Sequence, residues 1–454
     1  MGPACGVTVM TPLFGTDGVR GRANQEITPE LSLALARATS ELLVPAGGRV
    51  IIGRDTRISG PMLEGALAAG FTTGGADVLL AGVIPTPAIS FLIKDERADL
   101  GVVVSASHNQ PEDNGIKFFN RQGRKLSREQ EETIESTLGK LGRRAESVGR
   151  IYPLEAAASR YAAFLSGTIE IEEIDLGKRT IVVDCAYGAT GAIAPRVLRH
   201  FNARVIELHT ALNGARINQG CGSTHLEPLH AAVLKHRADL GIAFDGDGDR
   251  VLLVTPTGET IDGDRMMGII AMHMKRKGVL NPPILVTTIM SNLGLEQALA
   301  KEEIQVVRTP VGDRNVAQAM LAHQAQIGGE QSGHIIFSDH SPTGDGILTA
   351  VKLLEIAHEP GADLHTLAEE IPLYPQISAN IAVKDSNTLL ALPSLKEAFR
   401  KAKDRLGNGG RLVIRPSGTQ PVIRVMVEGK DEPLCNEICA ELVAVIKAET
   451  NSNQ

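Results

Sequence analysis

Leu100-Gly-Val-Val-Val-Ser-Ala-Ser-His-Asn109 sets five residues suited to a buried strand directly before two serines, a histidine and an asparagine. The same shape recurs at Leu240-Gly-Ile-Ala-Phe-Asp-Gly-Asp-Gly-Asp-Arg250 and, more weakly, at Ala325-Gln-Ile-Gly-Gly-Glu-Gln-Ser-Gly-His334. Each is the third strand-like run of a set. Arg49-Val-Ile-Ile-Gly53 and Asp77-Val-Leu-Leu-Ala81 precede the first, Thr180-Ile-Val-Val-Asp184 and Arg204-Val-Ile-Glu-Leu208 the second, Pro283-Ile-Leu-Val-Thr287 and Ile304-Gln-Val-Val-Arg308 the third. Segments with helical spacing, such as Pro61–Leu67 and Leu226–Leu234, lie between them. Short apolar runs alternating with helices read as parallel strands in an α/β sheet, so three similar α/β units are expected. A period of about 100 residues is too long for a solenoid repeat, which makes each unit a full domain. Ligands collect outside the carboxyl ends of such strands, and three equivalent loops with three chemistries can meet at one cleft.

After Pro372 the order changes to a strand at Ile377–Val383, an amphipathic helix at Leu395–Leu406, two strands around Arg415–Pro421 and a closing helix from Glu432. This is a smaller α+β domain. The expected division is 1–154 with the serine loop, 155–257 with the aspartate loop, 258–372 with the Gly-Glu-Gln-Ser-Gly-His loop and 373–454 with the arginine loop.

A chain of 454 residues with 43% apolar and 22% charged residues has the composition of a soluble globular protein, with no run long enough to span a membrane. A net charge of −7 argues against general nucleic-acid affinity, and Arg143-Arg144 and Lys275-Arg-Lys277 read as solvated surface. Met1-Gly2 matches the start of a myristoylation signal, but Gly6 stands where Ser or Thr is required and no apolar signal core follows, so a cytoplasmic location is expected. Cys5, Cys185, Cys221, Cys435 and Cys439 lack zinc-ligand spacing and suit a reducing compartment; Cys435 and Cys439 read as packed on one face of the last helix.

Asp245, Asp247 and Asp249 are separated only by glycines, so three carboxylates can converge on one side of a turn. Their mutual repulsion is relieved by a divalent cation, and an all-oxygen set favours Mg2+ or Ca2+ over Zn2+. An EF-hand would need glycine at Arg250 and glutamate at Pro256, and has neither. Ser105 and Ser107 share a face if the strand continues through them, whereas a turn would separate them. His108 beside Ser107 invites a Ser-His hydrolase reading, but triad partners meet in space and seldom as chain neighbours. Arg415-Pro-Ser-Gly-Thr-Gln-Pro-Val-Ile-Arg424 offers two guanidinium forks, two hydroxyls and a glycine turn, a set suited to a phosphate dianion. Glu330 and Ser332 can bracket neighbouring sugar hydroxyls. Phe14-Gly-Thr-Asp-Gly-Val-Arg-Gly-Arg22 adds arginines on a flexible loop, and Lys117 becomes a proton-transfer group if its pKa is lowered.

Together the Ser-Ala-Ser-His-Asn, Asp-Gly-Asp-Gly-Asp, Gly-Glu-x-Ser-Gly-His and Arg-x-Ser-Gly-Thr loops, in that order over nearly the whole chain, resemble the α-D-phosphohexomutase family. Phe14–Gly21, Cys221-Gly-Ser-Thr-His225, Met290-Ser-Asn-Leu-Gly294, Val311-Gly-Asp-Arg314 and Gln331 are most similar to its bacterial amino-sugar branch. The resemblance implies a heart-shaped, four-domain protein with a central cleft that converts glucosamine 6-phosphate to glucosamine 1-phosphate for cell-wall precursors. It implies Ser107 as the phosphoserine, with Asp245, Asp247, Asp249 and a phosphoserine oxygen holding one Mg2+. Glu330, Ser332 and His334 would bind the sugar, Arg415, Ser417, Gly418, Thr419 and Arg424 the phosphate that is not reacting, and Arg20, Lys117 and Arg250 would act electrostatically or in proton transfer. A hexose or hexosamine 1,6-bisphosphate is the implied activator and intermediate, a small phosphosugar the partner, and a homodimer is left open. Two departures stand out: Gln110 occupies a position usually held by proline, and Gln420 replaces the usual glutamate. The rival readings are a phosphomannomutase or phosphoglucomutase with the same machinery, a metal-dependent phosphatase, and a non-catalytic phosphosugar sensor.

Overall fold

The computed structural model describes residues 12–139, 146–169, 175–177, 179–383, 385–416 and 422–452. In the first unit, strand Arg49–Arg54, helix Gly60–Thr73, strand Asp77–Val83, helix Thr86–Asp95 and strand Leu100–Val104 follow in the expected order, with Arg49–Arg54 pairing in parallel to both other strands. Thr180–Asp184, Ala194–His200, Arg204–Leu208, Glu227–His236 and Leu240–Phe244 repeat the plan, again with the first strand central. Ile284–Thr288, Leu293–Lys301, Gln305–Thr309, Asp313–His323 and Ile327–Gly329 give the third copy. Pro61, Pro87, Pro195 and Pro228 each sit in a first helical turn, where the missing N–H costs nothing.

Each unit also has a strand that the apolar runs did not reveal. Asp113–Asn120, Val251–Val254 and Ile335–Phe337 return antiparallel to the third parallel strand, in registers Val104↔Ile116, Phe244↔Val251 and Gly329↔Ile335. The three chemistry-bearing loops are therefore the connections of three equivalent hairpins, which fixes both ends of each loop to a buried sheet. The sheets are mixed as a result. The C-terminal unit is a three-stranded antiparallel sheet, Gln376–Ala382, Val422–Gly429 and Gly410–Pro416, backed by helices Pro393–Leu406 and Glu432–Ser452. Cys435 and Cys439 are buried in its core.

One apolar core joins the first three units, running from Ile51, Ile89 and Val103 through Tyr161 and Val183 to Met266 and Leu285, whereas the C-terminal unit has a core of its own. The last unit meets the third through polar groups: buried Glu428 accepts from the Leu293 N–H at 2.8 Å, and Arg411 donates to Glu428 and to the Ser291 carbonyl at 2.7 Å. No helix among the described residues is long and apolar enough to cross a membrane.

Candidate active site

The strand ends at Val104, and the serines part company just beyond it. Ser107 adopts a left-handed backbone (φ 53), and its N–H donates to Ser105 Oγ at 2.8 Å while Ser105 Oγ donates to Asp55 Oδ2 at 2.6 Å. Ser105 thus braces the turn from inside, and Ser107 Oγ projects to donate to Asp245 Oδ2 at 2.6 Å. Beneath the loop lies Arg57, fully buried against Asp55 (2.9 Å). Its guanidinium donates to the carbonyls of Ser107 (3.0 Å), Asn109 (2.8 Å), Asp113 (2.9 Å) and Gln110. Asn218, from the second unit, donates to the Ser107 and Asn109 carbonyls, each at 2.9 Å. Arg57 and Asn218 were not read from the sequence; the position of Arg57, just past the carboxyl end of the central strand, was the available signal. Gln110, in the usual proline position, contributes its carbonyl to this cage.

The aspartate loop packs directly on the serine loop. A Cβ at Gly246 would lie 2.7 Å from the Ser107 carbonyl oxygen, and Gly248 has φ +72, so both glycines are required where they stand. Asp245, Asp247 and Asp249 are buried, with one oxygen of each within 4.8 Å of the others. Asp247 Oδ2 accepts from Thr86 Oγ1 at 2.6 Å and Lys117 Nζ at 2.8 Å; Lys117 also faces Asp17 Oδ2 at 3.0 Å and Asp249 Oδ2 at 3.6 Å. Asp247 Oδ1 and Asp249 Oδ1 are buried without a hydrogen-bond partner. Orphaned oxygens converging in this way fit a hard divalent cation. Burial and its two carboxylate neighbours hold Asp245 well above the usual range, whereas for Asp249 burial is outweighed by Lys117 and His334, which hold it well below.

Lys117 does not meet the condition of a lowered pKa on which proton transfer depended, and its surroundings suit the electrostatic alternative. Burial alone would lower the pKa, but Asp17, Asp247 and Asp249 outweigh that and raise it above the ordinary lysine range. It is a fixed cation. Arg20 lies 3.5 Å from Asn109 Oδ1 and bonds to Asp17, the Arg250 backbone N–H donates to Asp245 Oδ1 at 3.2 Å and its guanidinium Nε stands 3.9 Å from Asp249 Oδ1, so all three expected cations border the serine and aspartate loops. His108 Nδ1 stands 3.4 Å from Ser107 Oγ; burial, then Arg250 and Arg20, push its pKa down to about 4, leaving it neutral.

In the third loop, Glu330 Oε1 accepts from the Gly312 N–H at 3.1 Å, and Ser332 Oγ is buried without a partner. His334, expected among the sugar binders, faces protein with both ring nitrogens. Nε2 accepts from the Gly344 N–H at 3.1 Å and Nδ1 lies 3.6 Å from Asp249 Oδ2. Arg415 and Arg424 are cross-strand partners on the C-terminal sheet, with Arg424 Nε buried and unpartnered; burial and then Arg424 lower the pKa of Arg415. No hydrogen bond among the described residues ties either guanidinium to the other three loops. Ser417, Gly418, Thr419 and the departure at Gln420 lie outside the described residues.

Four family models match this chain in order: phosphoglucomutase/phosphomannomutase α/β/α domain I over residues 11–144, domain II over 159–258, domain III over 262–374 and the C-terminal domain over 379–445. The chain is 46% identical to the phosphoglucosamine mutase of Syntrophomonas wolfei over 442 residues, 95% of this chain and 98% of that one. It is 48% identical to the phosphoglucosamine mutase of Desulforamulus reducens over 446 residues, 96% and 99% of the two chains. The crystal structure of a phosphoglucomutase/phosphomannomutase family protein from Burkholderia thailandensis shares the fold, with a TM-score of 0.83 and 24% identity over 96% of this chain and 97% of that one. With its four domains matched in order and relatives alike over almost their full length, the chain belongs to the phosphoglucomutase/phosphomannomutase family.

Proposed function

We propose that this enzyme is a phosphoglucosamine mutase, interconverting glucosamine 6-phosphate and glucosamine 1-phosphate through a phosphorylated Ser107 and a bisphosphate intermediate. The observation that carries the chemistry is the Ser107 hydroxyl held 2.6 Å from Asp245, inside a carboxylate triad with two unpartnered oxygens. The names of the full-length relatives support the amino-sugar substrate.

In the forward step the P–Oγ bond of phosphorylated Ser107 breaks as a bond to the free sugar hydroxyl forms. The proton leaving that hydroxyl balances the one Ser107 Oγ regains. The bisphosphate then turns end for end and returns its other phosphate to Ser107. Asp245, Asp247 and Asp249, with an oxygen of the phosphoserine, would hold Mg2+, which when bound offsets negative charge on the transferring group. Lys117, Arg20 and Arg250 supply fixed positive charge around it, and Arg57 and Asn218 hold the serine loop rigid, so positioning and electrostatics dominate the acceleration. Glu330 and Ser332 address the sugar hydroxyls, while His334 positions Asp249. Arg415 and Arg424, like charges side by side across a hairpin, grip the phosphate that is not reacting, whose dianion relieves their repulsion. The separate core of the C-terminal unit suits a grip that must serve either end of the sugar.

The test is to incubate the protein with Mg2+, catalytic glucose 1,6-bisphosphate and glucosamine 6-phosphate, following glucosamine 1-phosphate and inorganic phosphate together. The 1-phosphate with little free phosphate is expected, and Ser107→Ala should abolish its formation with the fold intact. Inorganic phosphate as the main product would mean a phosphatase, and turnover on mannose or glucose phosphates alone would move the substrate within the family.

A further inference from the structure

The second sheet carries a cluster that phosphoryl transfer does not use. Asp184 closes strand Thr180–Asp184, His209 follows the adjacent parallel strand Arg204–Leu208, and Cys221 immediately precedes the short turn of helix at Gly222–Thr224. One oxygen of Asp184, one ring nitrogen of His209 and Cys221 Sγ all lie within 4.8 Å of one another. Asp184 and Cys221 are fully buried, while the His209 side chain is 21% exposed and opens the cluster to solvent.

The polar atoms there are unsatisfied in a particular way. Asp184 Oδ1 accepts the Ala186 N–H at 2.9 Å, but Oδ2 is buried with no hydrogen bond, and so is His209 Nδ1, although those two atoms are 3.0 Å apart. The two atoms stand at ion-pair distance but are misaligned for a hydrogen bond, which leaves lone pairs that a third atom can share. Donors about 2.0–2.3 Å from a tetrahedral centre stand about 3–4 Å from one another; the Asp184 oxygen and His209 nitrogen stand at 3.0 Å, and Cys221 Sγ lies within 4.8 Å of the other two ligand atoms. His209 keeps an imidazole at a left-handed position (φ 51), and its ring is walled by Tyr187 at 4.8 Å between centroids.

We propose that Asp184, His209 and Cys221 form a binding site for a divalent transition metal of the zinc class, separate from the Asp245–Asp249 carboxylates. Thiolate, imidazole and carboxylate together select a borderline-soft ion, which an all-oxygen triad does not. Three protein ligands leave a fourth position for water, reached from the exposed side of His209. On binding, the Cys221 Sγ–H proton passes to solvent as the sulfur–metal bond forms. Such an ion ties two strand ends to the segment carrying Asn218. The Asn218 N–H donates to the Ala186 carbonyl at 3.0 Å, and its side chain holds the serine loop, so the ion acts three residues along the chain from that support through Cys221 and through Ala186 from Asp184.

The full-length protein is held in excess Mg2+, which favours oxygen ligands, and titrated with Co2+ while its optical spectrum is followed. One equivalent should produce a thiolate-to-cobalt charge-transfer band that Zn2+ abolishes by displacement. Cys221→Ser should lose the band, and His209→Asn, which suits the left-handed backbone, should weaken Co2+ binding about tenfold or more while retaining mutase activity. Cobalt uptake without a thiolate band, or a band that survives Cys221→Ser, overturns the site. Should Cys221→Ser fail to fold, an unchanged Co2+ titration in His209→Asn overturns it equally.

Discussion

Arg57→Ala would take away the inner scaffold of the serine loop while leaving Ser107, the three aspartates and the surrounding cations unsubstituted. The guanidinium is completely buried, faces Asp55 at 2.9 Å, and serves four consecutive or nearly consecutive carbonyls from Ser107 to Asp113. Counting those bonds at about 1.5–3 kcal/mol each would overstate the loss, because the Ser107 and Asn109 carbonyls keep the Asn218 amide. The better guide is the removal of one partner from a buried ion pair, at most about 3–5 kcal/mol, since Asp55 loses its counter-charge but keeps the Ser105 hydroxyl and the backbone N–H of residue 57. Local stability of the first unit should fall by up to that amount, and a displacement of Ser107 Oγ of about 1 Å should lower kcat on the order of 10²-fold. Arg57→Lys should be intermediate, as it keeps a charge against Asp55 but cannot span the carbonyls. Hydrogen exchange of the amides at 105–113 alongside steady-state kinetics reads both effects. Unchanged protection in that loop together with unchanged kcat in Arg57→Ala would refute the reasoning.

On the C-terminal sheet, Arg424→Gln should lower kcat/KM by about 10- to 100-fold, the worth of a charge-assisted hydrogen bond of about 1.5–3 kcal/mol, without lowering Tm, because it also removes a like-charge neighbour from Arg415. An unaltered kcat/KM in both directions would remove these arginines from the phosphate grip. Asp345 is buried, caps helix Gly346–His358 through the Leu348 N–H at 2.9 Å and accepts from Tyr161 Oη at 2.7 Å. Burial raises its pKa from 3.8 to about 6. The folded state therefore binds the extra proton between those values, and stability is full below pH 3.8 and declines as pH rises to 6, by about 3 kcal/mol for a shift of about two units. Asp345→Asn, which caps equally well, should remove that decline, so its Tm advantage over the parent should grow from pH 4 to pH 6 and then level off. A Tm difference independent of pH would show that Asp345 ionises freely in the folded protein.

What could be read from the chain and what could not divide along a physical line. Leu100–Val104, Thr180–Asp184 and Leu240–Phe244 were legible to the residue because strands buried on both faces must be apolar along their interior, whereas Arg204–Leu208, half-exposed, was placed by its apolar Val205, Ile206 and Leu208 and its position in the repeat. The returning strand Asp113–Asn120 was not, since it carries Asn114 and Lys117 into the interior, and a buried amide and ammonium break the alternation by which a strand is recognised. Ser107 and the three aspartates announced themselves because their chemistry is local in sequence. Arg57, Asn218, Thr86 and Asp17 did not, because each acts on a partner far along the chain, and an isolated polar residue in a loop looks like any solvated one. Lys117 shows why the direction of a pKa shift was not legible. Its ordinary surroundings would be water, its buried surroundings alone would discharge it, and only the convergence of Asp17, Asp247 and Asp249 from two units keeps it charged.

The glycines between the aspartates show how one residue can be legible for an incomplete reason. Chain flexibility was ground enough to expect a turn that gathers three carboxylates, and Gly248 meets that need with its positive φ. At Gly246 a different constraint governs, because an added methyl would stand 2.7 Å from the Ser107 carbonyl and drive the aspartate loop and the serine loop apart. That carbonyl is the one already held by Arg57 and Asn218. The Ser107 backbone is thus fixed from three sides by its own unit, by the second unit's amide and by the closeness of a glycine. The 2.6 Å contact between Ser107 and Asp245 is therefore set by packing between two domains and not by either loop alone.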